Sequence, residues 1–433
     1  MNLFKNIKPA ALAGSTAAAL VAGLVAVAAC HGGPSGTATA AGSAPAHVLT
    51  YQFFGVNGVP KGYPHVDPGT AAKWVSWAMS NPQNSRALHA AGIKVDFYTN
   101  PNRLTPHDKI AATDESEFAH DCSGKRILVT KGEEKYLTDP GSSSLLASWK
   151  SYINQEMSQG QFDGVFEDTT ASTGSLSGLP CNFDENDWIS KHVGLDAAVG
   201  VPVLINGLGD GDLPHSGKKE QAEYQMSPAL GIVRKTSNVF GGTFEDCYAS
   251  SRHTAAKGTG KTAGSYWEQT ENTELAVAAI HKIFVCNESS DLQMEGAVDQ
   301  RTFAEASFLL SYGLDNSMIR QQFKTPSEFN LGPEVELVAM DPVSASPASV
   351  DGLKTSTGAY GREYRSCYIA GSPVGPCATA VNSDFSGSHS FPFSGYGHTM
   401  VLQGSGILDG GTISTNGPAP STLEPMTGEV AFR

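Results

Sequence analysis

"FEDTTAS" (Phe166–Ser172) returns later in the chain as "FEDCYAS" (Phe244–Ser250), so nearly the same seven residues occur twice. A short glycine-containing apolar run precedes each copy, "FDGV" before the first and "VFGGT" before the second. Such a run between turn signals is typical of a buried strand. The repeat therefore predicts two strands of one sheet, each ending in two adjacent acids.

Around these motifs, strand-like and helix-like runs alternate from His47 to about Phe323. Alternating β and α elements predict a parallel sheet, and roughly eight strands over about 250 residues predict a (β/α)8 barrel. The predicted strands are "LTYQFFG", "GIKVDFYTN", "KRILVT", "FDGVFED", "VPVLING", "NVFGGTFED", "KIFVCNES" and "NSMIRQQ". A doubly wound open sheet is the alternative, but "GVNGVPKG" after the first strand lacks the glycine spacing of a nucleotide loop.

The chain after about Glu334 has a different pattern, with short β runs separated by Gly, Pro and Ser. This pattern predicts a small antiparallel β domain. We therefore expect a catalytic barrel over residues 47–325 and a β-rich domain over residues 326–433.

The N-terminus predicts export. Two lysines precede an apolar run that ends in "VAAC" (Val27–Cys30), and this ending resembles a bacterial lipobox. Residues 1–30 are then a lipoprotein signal with Cys30 lipidated, and residues 31–46 a flexible tether. An uncleaved membrane anchor is the alternative, because the run is about long enough to span a bilayer.

Composition and cysteine content fit an exported protein that does not bind nucleic acid. The formal net charge is −14, whereas phosphate binding needs a basic surface. Of the seven cysteines, the six that remain after Cys30 predict three disulfides. We expect Cys367 to pair with Cys377 across a hairpin, and the other two bridges to join neighbouring barrel-end loops: Cys122–Cys181 and Cys247–Cys286. No cysteine or histidine spacing indicates zinc, and no cofactor is expected.

The two FED motifs supply the candidate catalytic acids. By count they close strands four and six, and a barrel places its catalytic side chains at the C-terminal ends of strands. Two carboxyl groups facing one mouth are what cleavage of a glycosidic bond requires. Acids at strand ends also cap helices or pair with arginines, and this structural role is the alternative.

Alternation along each strand indicates which acid faces inward. If Phe166 faces the barrel interior, Asp168 does too, and Glu167 lies at the lip of the strand. The same register in the second copy places Asp246 inward and Glu245 at the lip. Glu288 at the end of strand seven is a further candidate acid.

Polar and aromatic residues at other strand ends, or in the segment that follows the second FED motif, are candidates for sugar binding, because pyranose faces stack on rings and hydroxyls bond to amides and acids. Core packing is the alternative for the aromatic residues. The candidates are Tyr51, Asp96, Tyr98, Asn206, Tyr248, Trp267 and Asn287.

"FDGVFEDT" resembles the "DGVFLD" strand of glycoside hydrolases with (β/α)8 barrels, which are related to the alpha-galactosidase-like and polygalactosaminidase-like barrels. The resemblance covers roughly residues 47–385. It implies that Asp168 is the catalytic base or nucleophile and that an acid closing strand six, Glu245 or Asp246, is its partner. Glu167 departs from the family pattern, which has an apolar residue at this position, and so remains a candidate.

The sequence therefore predicts an exported, lipid-anchored glycoside hydrolase that acts on an oligo- or polysaccharide. A non-catalytic carbohydrate-binding or cell-envelope lipoprotein on the same barrel is the alternative. A Ser-His-Asp hydrolase has little support, because no GxSxG occurs and His398 falls in the β-rich region.

Overall fold

The computed structural model describes most of the chain after the N-terminal segment. The described residues are 44–54, 67–105, 108, 110, 114–129, 134–168, 170, 176–209, 228–245, 247–248, 263–288, 298–321 and 329–433. The predictions for Cys30 and Asp246 fall outside them.

Eight parallel strands close into a barrel, which confirms the predicted fold class. Each strand pairs with its neighbours in chain order, and the first pairs with the last through Leu49↔Met318 and Thr50↔Ile319. The strands are β1 (Leu49–Phe54), β2 (Trp77–Ser80), β3 (Lys94–Thr99), β4 (Gly164–Glu167), β5 (Val203–Asn206), β6 (Val239–Glu245), β7 (Ile283–Asn287) and β8 (Ser317–Arg320).

The second barrel strand differs from the prediction. The stretch "TAAKWVSWAMS" has helical spacing, but its second half is β2, and Trp77 faces the interior and stacks on Phe240 with centroids 4.8 Å apart. "KRILVT" is not a barrel strand; its described residues make only isolated bridges, including Leu128↔Tyr136. One strand was missed and one added, so the FED motifs still close strands four and six.

Helices surround the barrel, with polar caps at their N-termini. The Asp184 side chain accepts from the backbone N–H of Asp187 at the start of α4, and the Ser142 side chain accepts from the backbone N–H of Leu145 at the start of α3. The helices are α1 (Pro68–Ala71), α2 (Pro82–Ala90), α3 (Ser143–Gln159), α4 (Glu185–Val199), α5 (Pro228–Lys235), α6 (Ala263–Ala278) and α7 (Val298–Ser311).

An excursion between β3 and α3 lies at the C-terminal end of the barrel. Its short strands Arg103–Leu104 and Tyr136–Leu137 pair antiparallel, and Glu115–Glu117 forms a 3-10 turn. The Cys122–Cys181 disulfide ties this excursion to the loop that precedes α4.

After the barrel, a six-stranded antiparallel sheet forms the predicted β domain, with strand order β9-β10-β11-β14-β12-β13. The strands are β9 (Leu337–Pro342), β10 (Tyr360–Ile369), β11 (Ser372–Asn382), β12 (His398–Gln403), β13 (Thr412–Gly417) and β14 (Thr427–Phe432). His389–Ser390 pairs separately with Thr422–Leu423, and 3-10 turns span Pro333–Glu336, Val350–Leu353 and Ile407–Asp409.

The sheet packs on α7, whose residues from Phe303 to Ser311 are all buried. Carbonyls in the last turn of a helix lack intrahelical partners. Here the sheet satisfies two of them, because the Tyr364 hydroxyl donates to Leu309 O and the Arg362 guanidinium donates to Leu310 O. The β domain thus completes the last barrel helix, and Ala44–Arg433 forms one compact unit.

The three expected disulfides, Cys122–Cys181, Cys247–Cys286 and Cys367–Cys377, are all formed. Three bridges are typical of exported proteins. Within the described part of the chain, every helix is too short or too polar to cross a bilayer.

Candidate functional site

The fourth strand directs Asp168 into the barrel mouth. Phe166 belongs to the cluster of side chains that fills the barrel interior, together with Leu204 of β5 and Val285 of β7. Val165 faces the surrounding helices instead. Since side chains alternate along a strand, Asp168 lies on the same side as Phe166, as predicted, and it is half-buried there.

Three side chains donate hydrogen bonds to the Asp168 carboxylate. The Tyr98 hydroxyl donates to Oδ2 over 2.7 Å, and Asn206 Nδ2 donates to Oδ1 over 2.9 Å. Asn100 Nδ2 lies 3.4 Å from Oδ2. Burial and the charge of Asp168 raise the pKa of Tyr98 well above its usual value, so the phenol stays protonated and remains a donor. Both carboxylate oxygens are therefore held in place.

Asn206 also connects Asp168 to the acid at the end of the sixth strand. The same Nδ2 atom that contacts Asp168 donates to Glu245 Oε1 over 3.1 Å. The two carboxylate oxygens can then be no farther apart than the sum of these two bonds. Glu245 is exposed, and its backbone carbonyl accepts from the Tyr266 hydroxyl over 3.0 Å. The structure thus brings two acids, one from each FED motif, to one amide at the barrel mouth.

The two FED motifs face opposite ways, which corrects the predicted register of the second. Phe166 lies inside the barrel, whereas Phe244 packs on the helix side against Tyr266 and Phe284. Glu245 is therefore the inward acid of its motif rather than the residue at the lip.

A bulge in β6 causes this reversal. Val203 of β5 pairs with Val239, but the next residue, Leu204, pairs with Gly241, so Phe240 is an extra residue in β6. One extra residue moves every later side chain to the other face of the strand. A bulge of this kind leaves little trace in the sequence apart from the "GG" of "VFGGT".

Glu167 is not at the lip of its strand and does not face the mouth. It is fully buried behind β4, where it accepts from Asn102 Nδ2 over 2.9 Å and contacts Asp196 of α4. Burial raises its pKa above the usual range. It therefore lies outside the candidate site.

Tyr51 and Asp96 point inward, as expected, but lie too deep to bind a substrate. The Tyr51 hydroxyl donates to Asp96 Oδ2 over 3.1 Å, and both residues are fully buried. Burial is the main cause that raises the pKa of Asp96 well above its usual range. They form a polar contact within the barrel core, in contrast to the prediction that they bind sugar.

Three further candidates are buried on the helix side of the barrel. Glu288 accepts from the backbone N–H of Tyr248 over 2.6 Å, and the Tyr248 hydroxyl donates to Glu274. Trp267 donates from Nε1 to Ser307 over 2.9 Å. Glu288 is therefore not placed as a catalytic acid, and the two aromatic residues belong to the core.

The last candidate, Asn287, faces inward and accepts from the Arg320 guanidinium over 2.7 Å. Arg320 in turn lies 3.5 Å above the ring of Phe53. Sequence reasoning missed Arg320 and also Asn100. Arg320 lies two residues after the inward residue Met318, and Asn100 lies two residues after the inward residue Tyr98. Because side chains alternate along a strand, this spacing could have predicted that both face the mouth.

Metal-binding potential among the described residues is limited to one group. Cys247, Cys286 and Glu288 offer ligand atoms within 4.8 Å of one another. Because the two cysteines form a disulfide, they offer no thiolates to a metal.

Comparison with models of protein families finds no match, and comparison with curated proteins finds none either. Among solved structures, the chain is similar to the glycoside hydrolase domain of PelA from Pseudomonas aeruginosa, with 10% identity and a TM-score of 0.38 over 63% of this chain and 94% of that one. The chain is also similar to Aspergillus fumigatus Ega3 in complex with galactosamine, with 14% identity and a TM-score of 0.37 over 65% of this chain and 94% of that one. A third similar structure is pullulanase from Bacillus acidopullulyticus, with 10% identity and a TM-score of 0.45 over 90% of this chain and 61% of that one. At these scores, the assignment of the fold and site depends on the strand pairing and contacts described above.

Proposed function

We propose that this protein is a glycoside hydrolase in which Asp168 and Glu245 are the two catalytic carboxyl groups. The observation that carries the proposal is the single amide nitrogen of Asn206, which contacts both carboxylates at the C-terminal end of the barrel. Two carboxyl groups placed together at this end of a (β/α)8 barrel are the arrangement that glycosidic cleavage uses.

The contacts of the two acids support different roles. Asp168 is half-buried and fixed by donors on both oxygens, as suits a nucleophile that attacks the anomeric carbon. Glu245 is exposed at the rim, where it can meet the glycosidic oxygen and solvent. Glu245 then protonates the leaving oxygen and afterwards takes a proton from the water that releases the sugar from Asp168.

The spacing favours retention of configuration. Retaining enzymes hold their carboxyl groups about 5–5.5 Å apart, and inverting enzymes about 6.5–9.5 Å apart to admit a water. The bonds of 2.9 and 3.1 Å from one nitrogen keep the nearest oxygens of Asp168 and Glu245 below the inverting range.

We further propose that the enzyme is exported and attached to a membrane through lipidated Cys30, with residues 31–46 as a tether between the lipid and the barrel. The "VAAC" sequence after an apolar run and the three disulfides support this proposal. Mass spectrometry of the protein from its native host tests it, because a mature N-terminus other than acylated Cys30 would refute the anchor.

A glycan screen tests the activity. Wild type, Asp168→Asn, Glu245→Gln and the surface control Asp187→Asn are incubated with a panel of oligo- and polysaccharides. We expect wild type and the control to release sugar from at least one glycan, and both site variants to lose this release. If the protein only binds glycans, none of the four proteins will release sugar, although they will still bind a glycan.

A further inference from the structure

Glu167 and Asp196 form a carboxyl pair directly behind the strand that carries Asp168. Both are fully buried, and among the described residues no donor reaches Glu167 Oε2 or either carboxylate oxygen of Asp196. A buried ionised carboxylate without a donor is costly, so these unbonded oxygens favour a pair that keeps a proton. Burial is the main cause that raises the pKa of each acid, and the charge of Glu167 raises that of Asp196 further, which agrees with a proton kept by the pair.

Asn102 connects this pair to the candidate nucleophile. Its Nδ2 donates to Glu167 Oε1 over 2.9 Å and to the backbone carbonyl of Asp168 over 3.0 Å. The backbone N–H of Asp168 is bonded to Thr99 O over 2.9 Å. The peptide groups on both sides of Asp168 are thereby fixed.

A second connection runs through Asn100. Its Oδ1 accepts from the backbone N–H groups of Asn102 and Arg103 over 3.2 and 3.3 Å, while its Nδ2 contacts Asp168 Oδ2. Asn102 therefore links the buried pair to both the backbone and the carboxylate of Asp168. This network depends on an acceptor oxygen at position 167, which Glu167 Oε1 supplies to Asn102.

We propose that the buried Glu167–Asp196 pair acts through Asn102 and Asn100 as a positioning device for the Asp168 carboxylate. Neither member touches the mouth, so both are positioning residues rather than catalytic ones. The expected change in kcat rests on the proposed glycosidase function, whereas the expected change in the position of the Asp168 carboxylate does not.

Kinetics of Glu167→Leu and Glu167→Gln test the inference. Leu removes the acceptor for Asn102, whereas Gln retains an oxygen for Asn102 and an N–H for Asp196. We expect Leu to lower kcat about 100-fold with KM within about twofold, since a nucleophile displaced by about 1 Å loses that much. Gln should recover most of this loss. Equal losses for Leu and Gln, or a change in KM alone, would overturn the inference.

Asn102→Ala removes the link from the other side and leaves the carboxyl pair intact. It replaces Glu167→Leu if thermal melting shows that the Leu variant does not fold, and the same fall in kcat is expected. Asp187→Asn, an exposed change on the helix that carries Asp196, controls for general effects on α4.

Crystal structures of the variants test the positioning role of the carboxyl pair independently of the proposed glycosidase activity. We expect Asp168 Oδ1 to leave its position 2.9 Å from Asn206 Nδ2 in the Leu or Ala variant and to keep it in the Gln variant. An unmoved Asp168 would overturn the inference whatever the activity. A displaced Asp168 in a protein whose wild type cleaves no glycan would overturn the proposed function alone.

Discussion

The Tyr98 hydroxyl donates a 2.7 Å hydrogen bond to Asp168, from the neighbouring strand of the barrel. The Tyr98 ring also stacks on Phe166, with centroids 6.2 Å apart, so the packing of the ring and the bond to the acid are separable. Replacing the tyrosine with phenylalanine removes only the bond.

We therefore predict that Tyr98→Phe lowers kcat by about 10- to 100-fold, because a hydrogen bond to a charged group contributes about 1.5–3 kcal/mol. The ring stays in place, so the melting temperature should change little. Steady-state kinetics and thermal unfolding check both expectations. Wild-type kcat in a folded Tyr98→Phe variant would show that the phenol does not assist Asp168.

Asn206 provides a prediction about the coupling of the two acids. Asn206→Ala removes the nitrogen that Asp168 and Glu245 share and leaves two carboxylates without their common donor. We expect a loss of about 10²–10³ in kcat/KM, the range seen when one preorganised donor is removed from an active site. Asn206→Asp should be at least as harmful, because it adds a third negative charge. Steady-state kinetics check both expectations, and a kcat/KM near that of wild type in a folded Asn206→Ala variant would contradict this view of Asn206.

The contact between the β domain and the last barrel helix predicts an effect on stability. The Arg362 guanidinium is buried and donates to the carbonyls of Leu310 and Tyr312 and to Ser346 Oγ. We expect Arg362→Gln to lower the free energy of unfolding by about 2–4 kcal/mol. Arg365→Gln is the matched control, since Arg365 lies on the same strand but is exposed. Equal urea midpoints for the two variants would refute the role of Arg362.

Glu274 predicts how stability depends on pH. It is fully buried and accepts from Tyr248 and Ser317, and burial is the main cause that raises its pKa to about 7. A carboxyl group whose folded pKa is raised stabilises the fold below its unfolded pKa of about 4.3. This contribution is lost as the pH rises through about 7.

We therefore expect the melting temperature to fall between about pH 4.5 and pH 7.5, and the fall to be smaller in Glu274→Gln. Differential scanning calorimetry of both proteins across this range makes the comparison. The exposed substitution Glu185→Gln should leave the slope as in wild type. A steeper fall of the melting temperature with pH in Glu274→Gln than in wild type would contradict this prediction.

Removing the disulfide that closes the longer loop should cost more stability, because the loop-closure entropy grows with the logarithm of loop length. The Cys247–Cys286 bridge closes a sequence separation of 39, and Cys367–Cys377 closes one of 10. We expect the paired change to alanine to cost about 4 kcal/mol for the first and about 3 kcal/mol for the second, if chain entropy dominates. Unfolding in denaturant compares the two double variants. A larger loss from the shorter loop would show that other contributions dominate.

Much of this fold could be predicted from patterns of short range. The period of strands and helices predicted the barrel, and the Gly, Pro and Ser spacing predicted the antiparallel sheet that follows it. The hairpin that contains Cys367 and Cys377 predicted their pairing. In each case the residues that decide the structure are close together in the sequence.

The predictions that the structure corrected concern residues whose placement depends on tertiary packing. Trp77 and its neighbours have helical spacing, but the closing barrel places them in a strand because the side chain packs on Phe240. Repeating "FED" predicted a common register, and the bulge at Phe240 reversed it. Glu167 is buried beside Asp196, which lies on the next helix. Pairings of this kind leave no periodic signal in a single sequence.

Chemical rescue by azide distinguishes the roles of Asp168 and Glu245. In Asp168→Ala and Glu245→Ala, azide can occupy the space of the missing carboxylate and attack the sugar, and NMR gives the configuration of the glycosyl azide formed. We expect a glycosyl azide of inverted configuration from the Asp168 variant, through one displacement, and one of retained configuration from the Glu245 variant, through the intermediate on Asp168. Retained configuration from the Asp168 variant, or inverted configuration from the Glu245 variant, would contradict these roles.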